Sequence, residues 1–241
     1  MVKPNSQLQA LSKLLPETLG AELEPHARLV TLRSGQIVIG HQDRTTDVFV
    51  VLEGTLRVEL YSLNGREISL ADLGPGELFG EFAAIDEQPR SATVTATGAC
   101  ALACISAETF RRVALGTPAH ADWLARRLVG RIRLQTERIF ELNALAVRSR
   151  LHCELLRLSL DAGVANNEAI VTSAPTHAQL AARIGTHREA VTRELQYLQK
   201  AGIAVQQGRE LRINDVNELA EIVRAAAGDV GVAHRMAQPS E

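Results

Sequence analysis

The sequence predicts an α+β protein that begins with a β-roll domain, continues in one long helix and ends in a second, mainly helical domain. Three patterns predict this class: strand-like apolar alternation between about Ala27 and Ile105, a helical repeat starting at Pro118, and helical segments with one hairpin after Arg148. A chain of 241 residues is long enough for two modest domains. We expect the boundaries at residues 1–117, 118–147 and 148–241.

Composition and charge indicate a soluble globular protein. Hydrophobic residues make up 46% of the chain and the net charge is −2, with no apolar run long enough to cross a membrane. The N-terminus lacks the apolar block and cleavage site of a signal peptide. Cys100, Cys104 and Cys153 form an odd, sparse set that does not fit a disulfide framework. These features predict a cytoplasmic protein with no membrane partner.

The first domain is expected to be a β-roll or barrel preceded by a short amphipathic helix at residues 7–19. Apolar runs at residues 48–52 and 55–60 alternate like strands, and Leu63-Asn64-Gly65 is typical of a hairpin turn. Further strand-like runs lie at residues 68–70 and 92–104. Many short strands at this spacing favour a closed or rolled sheet.

The loop PGELFGEFAAIDEQPRSATV, residues 75–94, carries the strongest binding signal in this domain. Gly80 and Glu81 precede a short apolar turn, and Arg90 and Ser91 follow it. The glycine permits close backbone approach because it has no Cβ. A carboxylate beside a guanidinium can bind a sugar hydroxyl and a phosphate together. Ser91 adds a hydroxyl, and the backbone N–H groups after Arg90 can help to hold an anion.

The long helix carries a repeat with alternating spacings of four and three residues, which is typical of a coiled-coil seam. Its positions are Ala121, Ala125, Leu128, Ile132, Gln135, Ile139, Leu142 and Ala146. A seam of this length favours a parallel partner helix and hence a homodimer; the alternative is a helix packed on its own domain. Gln135 interrupts the apolar seam beside Thr136, where a polar residue can fix the register or hydrogen-bond a ligand.

Residues 176–195 have the pattern of a helix-turn-helix. Thr176 can cap the first helix, Gly185 suits the tight turn and Thr186 can cap the second helix. Val191 and Leu195 are spaced to pack inward, which leaves the polar residues of the second helix exposed, namely Arg188, Glu189 and Arg193. Arginine can donate two hydrogen bonds to guanine, and glutamate can accept one from cytosine, in the major groove.

The segments around this motif complete the second domain. We expect a helix at residues 148–160, a polar loop at 161–168, and a hairpin at 202–214 that turns at Gln207 and Gly208. Arg209 and Arg212 in that hairpin are placed for phosphate contacts. Nine Lys/Arg against six Asp/Glu between residues 148 and 214 permit nucleic-acid binding. A helix at 216–227 and a solvated polar tail to Glu241 are expected to follow.

The order of these motifs resembles the CRP/FNR family of transcription factors, in its cyclic-AMP receptor protein branch, over about residues 10–215. The matching motifs are Gly80-Glu81 with Arg90-Ser91, then the long helix, then Arg188-Glu189 with Arg193. The resemblance implies an N-terminal double-stranded β-helix, or jelly roll, that binds cyclic nucleotide. It further implies a dimerisation helix and a C-terminal winged helix-turn-helix.

The resemblance also implies how the ligand is bound. By position, Glu81 would bond the ribose 2′-hydroxyl, Arg90 and Ser91 the cyclic phosphate, and Thr136 the adenine amino group, while Gln135 replaces a neighbouring hydroxyl residue. The full implied set is Gly80, Glu81, Phe82, Arg90, Ser91, Ala92, Gln135 and Thr136. The implied effector is cAMP, with no metal. Because a hydroxyl can serve adenine or guanine, cGMP or a cyclic dinucleotide stays an open alternative.

The implied DNA target is a TGTGA-type half-site in a two-fold symmetric operator. The implied DNA-binding residues are Thr176, His187, Arg188, Glu189, Thr192, Arg193 and Arg209. His187 departs from the small residue common at its position, which affects flanking preference. Double-stranded DNA, RNA polymerase and a second copy of the chain are the implied partners. Our hypothesis is that ligand re-registers the seam near residues 139–146, so that the DNA-binding domains rotate about a hinge at 147–149.

Two rival functions differ in class. One is a ligand-independent DNA-binding regulator, against which the intact Glu81, Arg90 and Ser91 argue. The other is a kinase or channel regulatory module, against which the helix-turn-helix argues. An iron–sulfur sensor would need a cysteine cluster, whereas Cys100 and Cys104 are expected to be buried thiols. With no nucleophile–base pair or metal-ligand spacing, and with His41 and His120 isolated, we expect neither catalysis nor a metal site.

Overall fold

The computed structural model describes residues 4–65, 67–228 and 231–232. The chain divides into two compact units, Met1–Leu128 and Val129–Glu241, and the division falls inside the long helix. Each unit has its own apolar core. The α+β class is confirmed: the first unit is built on β-sheet, and the second is mainly helical.

The first unit begins with three short helices, α1 Pro4–Leu8, α2 Leu11–Leu14 and α3 Glu17–Leu23, and a 3-10 turn at Glu24–His26. The predicted single helix at residues 7–19 is therefore wrong. Proline disfavours helical backbone at the residue before it, and Leu15, ahead of Pro16, is extended at φ −112° and ψ 170°. These helices still bury Leu11, Leu19 and Leu23 in the core.

Two four-stranded antiparallel sheets form the β-roll, in the orders β1-β8-β3-β6 and β2-β7-β4-β5. The strands are β1 Arg28–Leu32, β2 Ile37–Ile39, β3 Val48–Glu53, β4 Leu56–Tyr61, β5 Glu67–Leu73, β6 Leu78–Phe79, β7 Thr93–Ala96 and β8 Cys100–Ile105. The predicted hairpin turn is confirmed between β4 and β5. Gly65 there has φ 73°, and its N–H donates to the Ser62 carbonyl.

Within the first sheet, the central strands β3 and β8 are buried on both faces. Alternate residues of a strand point to opposite sides, so Phe49 packs in the core between the sheets while Val48 and Val50 pack towards the helices. The rings of Phe49 and Phe79 stack with centroids 5.2 Å apart. In the β3–β6 register Phe49 is opposite Phe79. The loop that enters β3 and the loop that leaves β6 therefore lie at the same edge of this sheet.

Three helices follow within or after the β-roll: α4 Glu81–Asp86, α5 Ala107–Ala114 and α6 Pro118–Ala144. The start of α6 at Pro118 is as predicted. Helix α5 was not predicted; Ser106 caps it by accepting a hydrogen bond from the Thr109 N–H. Ala146, the last predicted seam position, lies outside α6, because its extended backbone at ψ 153° ends that helix and precedes the next.

The second unit continues from α6 into α7 Val147–Ala162 and a winged helical domain. Its further elements are β9 Val164–Ala165, β10 Glu168–Val171, α8 His177–Ile184, α9 Arg188–Lys200, β11 Ala204–Gln207, β12 Glu210–Ile213 and α10 Val216–Ala227. The sheet order is β11-β12-β10-β9. The hairpin turning at Gly208 and the helix at 216–227 are confirmed.

The predicted polar loop at residues 161–168 is wrong in part. Helix α7 runs on to Ala162, and residues 164–171 pair as a short hairpin whose turn residues, Asn166 and Asn167, have φ 52° and 66°. Asparagine tolerates this left-handed backbone, which allows the tight turn. The predicted tail beyond α10 lies outside the described residues, apart from residues 228, 231 and 232.

Candidate functional site

Arg90 lies at the centre of the predicted binding loop at residues 75–94 of the first unit, which we call the cassette. It is only 3% exposed, yet its guanidinium makes three hydrogen bonds. Nε donates to Thr45 Oγ1 at 3.0 Å, Nη1 to the Gly80 carbonyl at 2.8 Å and Nη2 to the Asp47 carbonyl at 2.7 Å. Burial lowers the pKa of Arg90, and the nearby Asp47 carboxylate opposes this shift. Arginine keeps its charge in proteins, so the cassette holds a fixed, buried cation.

Gly80 is required by its backbone and by its surroundings. Its φ is 83°, a value that favours glycine. A Cβ at this position would lie 2.8 Å from the Asp47 carbonyl oxygen and 2.9 Å from Nη1 of Arg90. The sequence predicts a close approach to the backbone at this glycine. In the structure the group that approaches is Arg90, which donates a hydrogen bond to the Gly80 carbonyl.

Glu81 begins α4 directly after Gly80 and is 2% exposed. Its carboxylate is among the charges that raise the pKa of Arg90 against the effect of burial. Ser91 is exposed beside the arginine and Ala92 is buried, while Phe82 on α4 is 46% exposed. The structure thus brings the six predicted cassette residues together around one turn of the β-roll.

Two residues of this site were missed by sequence reasoning, Thr45 and Asp47. Both lie in the loop that enters β3, more than 40 residues before Arg90. Asp43 in the same loop fixes the backbone as well, because its carbonyl accepts the Arg90 N–H at 2.8 Å. The β3–β6 pairing brings this loop to Gly80, and no local motif in the sequence indicates that register.

Gln135 and Thr136, the two predicted ligand residues on α6, belong to the second unit and are exposed. The Thr136 hydroxyl donates to the Ile132 carbonyl of its own helix at 2.9 Å. The apolar seam positions around them are also exposed: Ile132 is 64% exposed, Ile139 61% and Leu142 46%. Among the residues that the structure describes, nothing covers these apolar positions of α6.

The helix-turn-helix begins with a complete capping box. Thr176 Oγ1 accepts the Gln179 N–H, and the Gln179 side chain accepts the Thr176 N–H. Gly185 ends α8 at φ 66°, in the left-handed region. The prediction that Thr186 caps α9 is wrong, because the helix begins at Arg188, one residue later than that prediction requires. The Thr186 N–H instead donates to the Ala181 carbonyl at the end of α8. The N-cap residue is His187, without a side-chain cap.

Helix α9 presents the predicted polar residues. His187, Arg188, Glu189 and Arg193 are exposed, whereas Val191 and Leu195 are buried in the core of the unit. Arg209 is exposed at the turn of the β11–β12 hairpin, next to Gly208 at φ 60°. The exposed arginines of the helix and of the wing therefore belong to one compact domain.

Besides its predicted contact with DNA, Thr192 contacts two other residues of its own domain through its hydroxyl group. Its hydroxyl donates to the Arg188 carbonyl at 3.0 Å and lies 2.8 Å from Nδ1 of His177. His177, which sequence reasoning missed, thus joins the first turn of α8 to the first turns of α9. Burial, and then the charge of Arg188, lower the pKa of His177. In the sequence, the one local feature that points to His177 is its position directly after the capping residue Thr176.

The three cysteines and His120 are buried inside the fold. All three cysteines are free and buried, and burial raises the pKa of Cys104 to about 11 and of Cys153 to about 12. His120 contacts the Thr18 hydroxyl and the Val113 carbonyl with its two ring nitrogens. Among the described residues, no group of three or more His, Cys, Asp or Glu side chains could hold a metal ion.

Two family models match the chain. A cyclic nucleotide-binding domain matches residues 29–115, and a Crp-like helix-turn-helix domain matches residues 149–222. The cyclic AMP receptor protein of Thermus thermophilus is 34% identical over 172 residues, which cover 70% of this chain and 76% of that protein. The cAMP-activated global transcriptional regulator Vfr of Pseudomonas aeruginosa is 27% identical over 209 residues, covering 85% and 94%.

Solved structures share the fold. A CooA variant from Carboxydothermus hydrogenoformans superposes with a TM-score of 0.75 at 20% identity, covering 90% of this chain and 95% of that one. FixK2 from Bradyrhizobium japonicum gives a TM-score of 0.72 at 20% identity, covering 83% and 99%. Within the described part of the chain, no helix is both long and apolar enough to span a bilayer.

Proposed function

This chain belongs to the CRP/FNR family of transcription regulators, and we propose that it is a homodimer whose affinity for DNA is set by cyclic AMP. Membership makes it a cyclic-nucleotide-binding, DNA-binding regulator and not an enzyme. The identity of the nucleotide, the operator sequence and the dimer are the further steps of the proposal. We place its action in the cytoplasm, where it would meet DNA and RNA polymerase.

The buried guanidinium of Arg90 is the observation that carries the ligand assignment. Arginine has five N–H donors, and the bonds to Thr45, Gly80 and Asp47 use three of them. The other two can bind the cyclic phosphate, with the exposed Ser91 hydroxyl as a further donor. Glu81 would accept the ribose 2′-hydroxyl, and Gly80, Phe82 and Ala92 would line the same turn.

The base assignment depends on α6. Thr136, with Gln135 beside it, would contact the adenine amino group, and this part of the proposal comes from the sequence alone. The names of the relatives support cAMP: one is a cyclic AMP receptor protein and another a cAMP-activated regulator. Coupling then requires that the nucleotide bind the DNA-competent state more tightly, by about 5- to 150-fold in systems of this kind.

DNA binding is assigned to the exposed end of α9 and to the wing. Arg188, Glu189 and Arg193 would contact bases of a TGTGA-type half-site in the major groove, while Thr176, His187, Thr192 and Arg209 would contact the backbone or flanking bases. Two half-sites about 34 Å apart need two copies of the motif. The exposed apolar positions of α6, Ile132, Ile139 and Leu142, support a parallel pairing that would supply the second copy.

The test is the affinity of the full-length protein for a TGTGA-type palindrome without ligand, with cAMP and with cGMP, at one salt concentration because phosphate contacts depend on salt. We expect tighter DNA binding in the presence of cAMP and unchanged DNA binding in the presence of cGMP. Tighter binding with cGMP would reassign the base contacts of Thr136 and Ser91. Equal binding in all three conditions would overturn control by ligand and leave a constitutive DNA-binding regulator.

A matched pair of variants tests the cassette. Arg90→Leu should abolish the effect of cAMP on DNA affinity while the protein stays folded, as measured by circular dichroism. Arg44→Leu removes an exposed arginine in the neighbouring loop and should leave the effect of cAMP intact. Nucleotide-dependent DNA binding that survives in Arg90→Leu would contradict the assignment.

A further inference from the structure

The charges around Arg90 are a feature that the binding of a phosphate does not by itself explain. Burial lowers the pKa of the guanidinium, and the carboxylates of Asp47, Asp43 and Glu81 oppose this shift. One cation therefore shares this part of the β-roll with three carboxylates. A site for a strongly charged anion is expected to have the opposite balance, with cations in excess.

Asp47 is the carboxylate that acts most strongly on Arg90. Its carbonyl accepts a hydrogen bond from Nη2 of that arginine at 2.7 Å, so the main chain of Asp47 lies against the guanidinium. The side chain is held separately, because the Cys104 thiol donates to Oδ2 at 3.6 Å. Burial raises the pKa of this thiol to about 11, so it is protonated at neutral pH and can donate. The Asp47 carboxylate is thus held close to the cation.

Burial increases the effect of these charges on one another. Arg90 is buried and Asp47 is half-buried, and charges in such surroundings interact more strongly than in bulk water. Arg28 donates to Cys104 Sγ at 3.3 Å from an exposed position, where solvent screens its charge. A ligand phosphate bound to the guanidinium would therefore interact with the Arg90 cation and with the Asp47 carboxylate at the same time.

The phosphate groups of nucleotides differ in charge. A phosphodiester, as in a cyclic nucleotide, has one negative charge, whereas a terminal phosphate has about 1.5 to 2 at pH 7 because its second pKa is near 6. The guanidinium can balance the single charge of a diester. The additional charge of a terminal phosphate would be repelled by Asp47, and repulsion of the wrong ligand is an established source of specificity.

We propose that Asp47 is a specificity-determining residue that makes the cassette accept a phosphodiester and reject nucleotides that end in a terminal phosphate. This inference rests on the proposed binding of the ligand phosphate by Arg90. It adds a charge criterion to the shape of the ligand: nucleoside mono-, di- and triphosphates are rejected because they carry too much negative charge, whichever base they contain.

Three adenine nucleotides separate the effect of charge from that of shape. 5′-AMP is open and ends in a terminal phosphate; its methyl ester, adenosine 5′-(methyl phosphate), is open but is a singly charged diester; cAMP is cyclic and singly charged. Their Kd values for the full-length protein without DNA are measured by competition against labelled cAMP. The Kd of 5′-AMP divided by that of the methyl ester, which we call the charge ratio, should be at least about five in wild type. A charge ratio of one or less would overturn the proposal.

Asp47→Asn tests whether this residue is responsible. Asparagine keeps the main-chain carbonyl that holds Arg90 and an oxygen that can accept the Cys104 thiol, so only the charge is removed. The charge ratio should fall at least about threefold, while the Kd for cAMP should not rise. A merely structural role would raise all three Kd values together and leave the charge ratio unchanged, which would overturn the proposal.

Asp86→Asn is the matched control. Asp86 is exposed in the same loop, where its Oδ1 accepts the Gln88 N–H, and the substitution changes the net charge of the protein by the same amount. The control should keep the wild-type charge ratio; an equal fall in both variants would overturn the specific role of Asp47. If Asp47→Asn does not fold, Asp47→Ser replaces it with the same expected fall, and an unchanged charge ratio again contradicts the proposal.

Failure of this inference and failure of the proposed function give different results. If Arg90→Leu binds cAMP as tightly as wild type, the proposed phosphate site is wrong, and the inference falls with it. If Arg90→Leu loses cAMP binding but Asp47→Asn keeps the wild-type charge ratio, the site stands and only the role of Asp47 is overturned. If the protein binds cGMP and not cAMP, the guanine counterparts of the three ligands replace them, with the same expected charge ratios.

Discussion

Nη1 of Arg90 donates to the carbonyl oxygen of Gly80 at 2.8 Å, so this hydrogen bond joins the two ends of the turn between residues 80 and 90. The turn between them contains α4 and places Glu81 beside the arginine. Because the guanidinium is also fixed by Thr45 and Asp47, a ligand does not have to order this long side chain. Such preorganisation saves entropy on binding.

The first prediction concerns Gly80→Ala. The added methyl group would lie 2.8 Å from the Asp47 carbonyl oxygen and 2.9 Å from Arg90 Nη1, on a backbone at φ 83°. We expect the free energy of unfolding to fall by about 1–3 kcal/mol. The free energy of cyclic-nucleotide binding should fall by a larger fraction of its wild-type value, because the guanidinium of Arg90 must move. Chemical denaturation and calorimetric titration measure the two effects.

Gly98→Ala is the control for this substitution. Gly98 lies in the same β-roll, and a Cβ there would meet no heavy atom within 4 Å. Stability and nucleotide affinity should both stay close to the wild-type values. If Gly80→Ala behaved like Gly98→Ala, Gly80 would not be the residue that positions Arg90.

Local structure was predictable wherever the signal lies within a few residues. Asn64-Gly65 indicates the hairpin turn, Thr176 with Gln179 indicates a capped helix, and Gln207-Gly208 indicates the wing turn; each is present. The break at Pro16 was readable by the same reasoning, since proline restricts the residue before it. The cap predicted at Thr186 failed because α9 begins at Arg188, one residue later than that prediction requires, which leaves His187 at the N-cap position.

Contacts between distant segments were not predictable. Thr45 and Asp47 reach Arg90 only because β3 and β6 pair in one register, which depends on packing of the whole β-roll. Glu154 likewise brings together Arg138 and Arg183, which are 45 positions apart in the sequence. In the sequence these arginines are indistinguishable from exposed ones. Charge pairing of this kind becomes visible only once the helices are placed.

The second prediction concerns pH and His152. Burial, and to a smaller extent Arg148, lower its pKa in the folded chain, although the Glu194 carboxylate opposes the shift. The unfolded chain, with an ordinary pKa near 6.5, therefore binds more protons as the pH falls through that value. The free energy of unfolding should therefore decrease as the pH falls below about 6.5, and the decrease should stop below the pKa of His152 in the folded chain.

Urea denaturation of wild type and His152→Gln between pH 8 and pH 5 measures this effect. The stability advantage of wild type over the variant should shrink as the pH falls, because the variant has no imidazole to protonate. A constant difference between wild type and His152→Gln across this range would rule out the contribution of His152.

The third prediction concerns the apolar face of α6. Ile139 is 61% exposed within one chain, and it lies at a seam position where a lysine would place a charge in the interface of a coiled coil. Ile139→Lys should shift the protein from dimer to monomer at micromolar concentration, as measured by sedimentation velocity. Charge reversal at exposed Arg133, outside the seam, should leave the dimer intact. Dimers that persist in Ile139→Lys would place the subunit contact elsewhere.

The last prediction concerns base recognition by Arg188. This residue is exposed at the start of α9, whose backbone is fixed there by the Thr192 hydroxyl on the Arg188 carbonyl. Arg188→Ala should weaken binding to a TGTGA-type duplex by about 1–3 kcal/mol and reduce discrimination against replacement of a contacted guanine. Fluorescence anisotropy with matched and substituted duplexes, in saturating cAMP, measures both quantities. Lys200→Ala, at the opposite end of the same helix, should change neither. Discrimination that stays at the wild-type level in Arg188→Ala would mean that this arginine contacts phosphate and not a base edge.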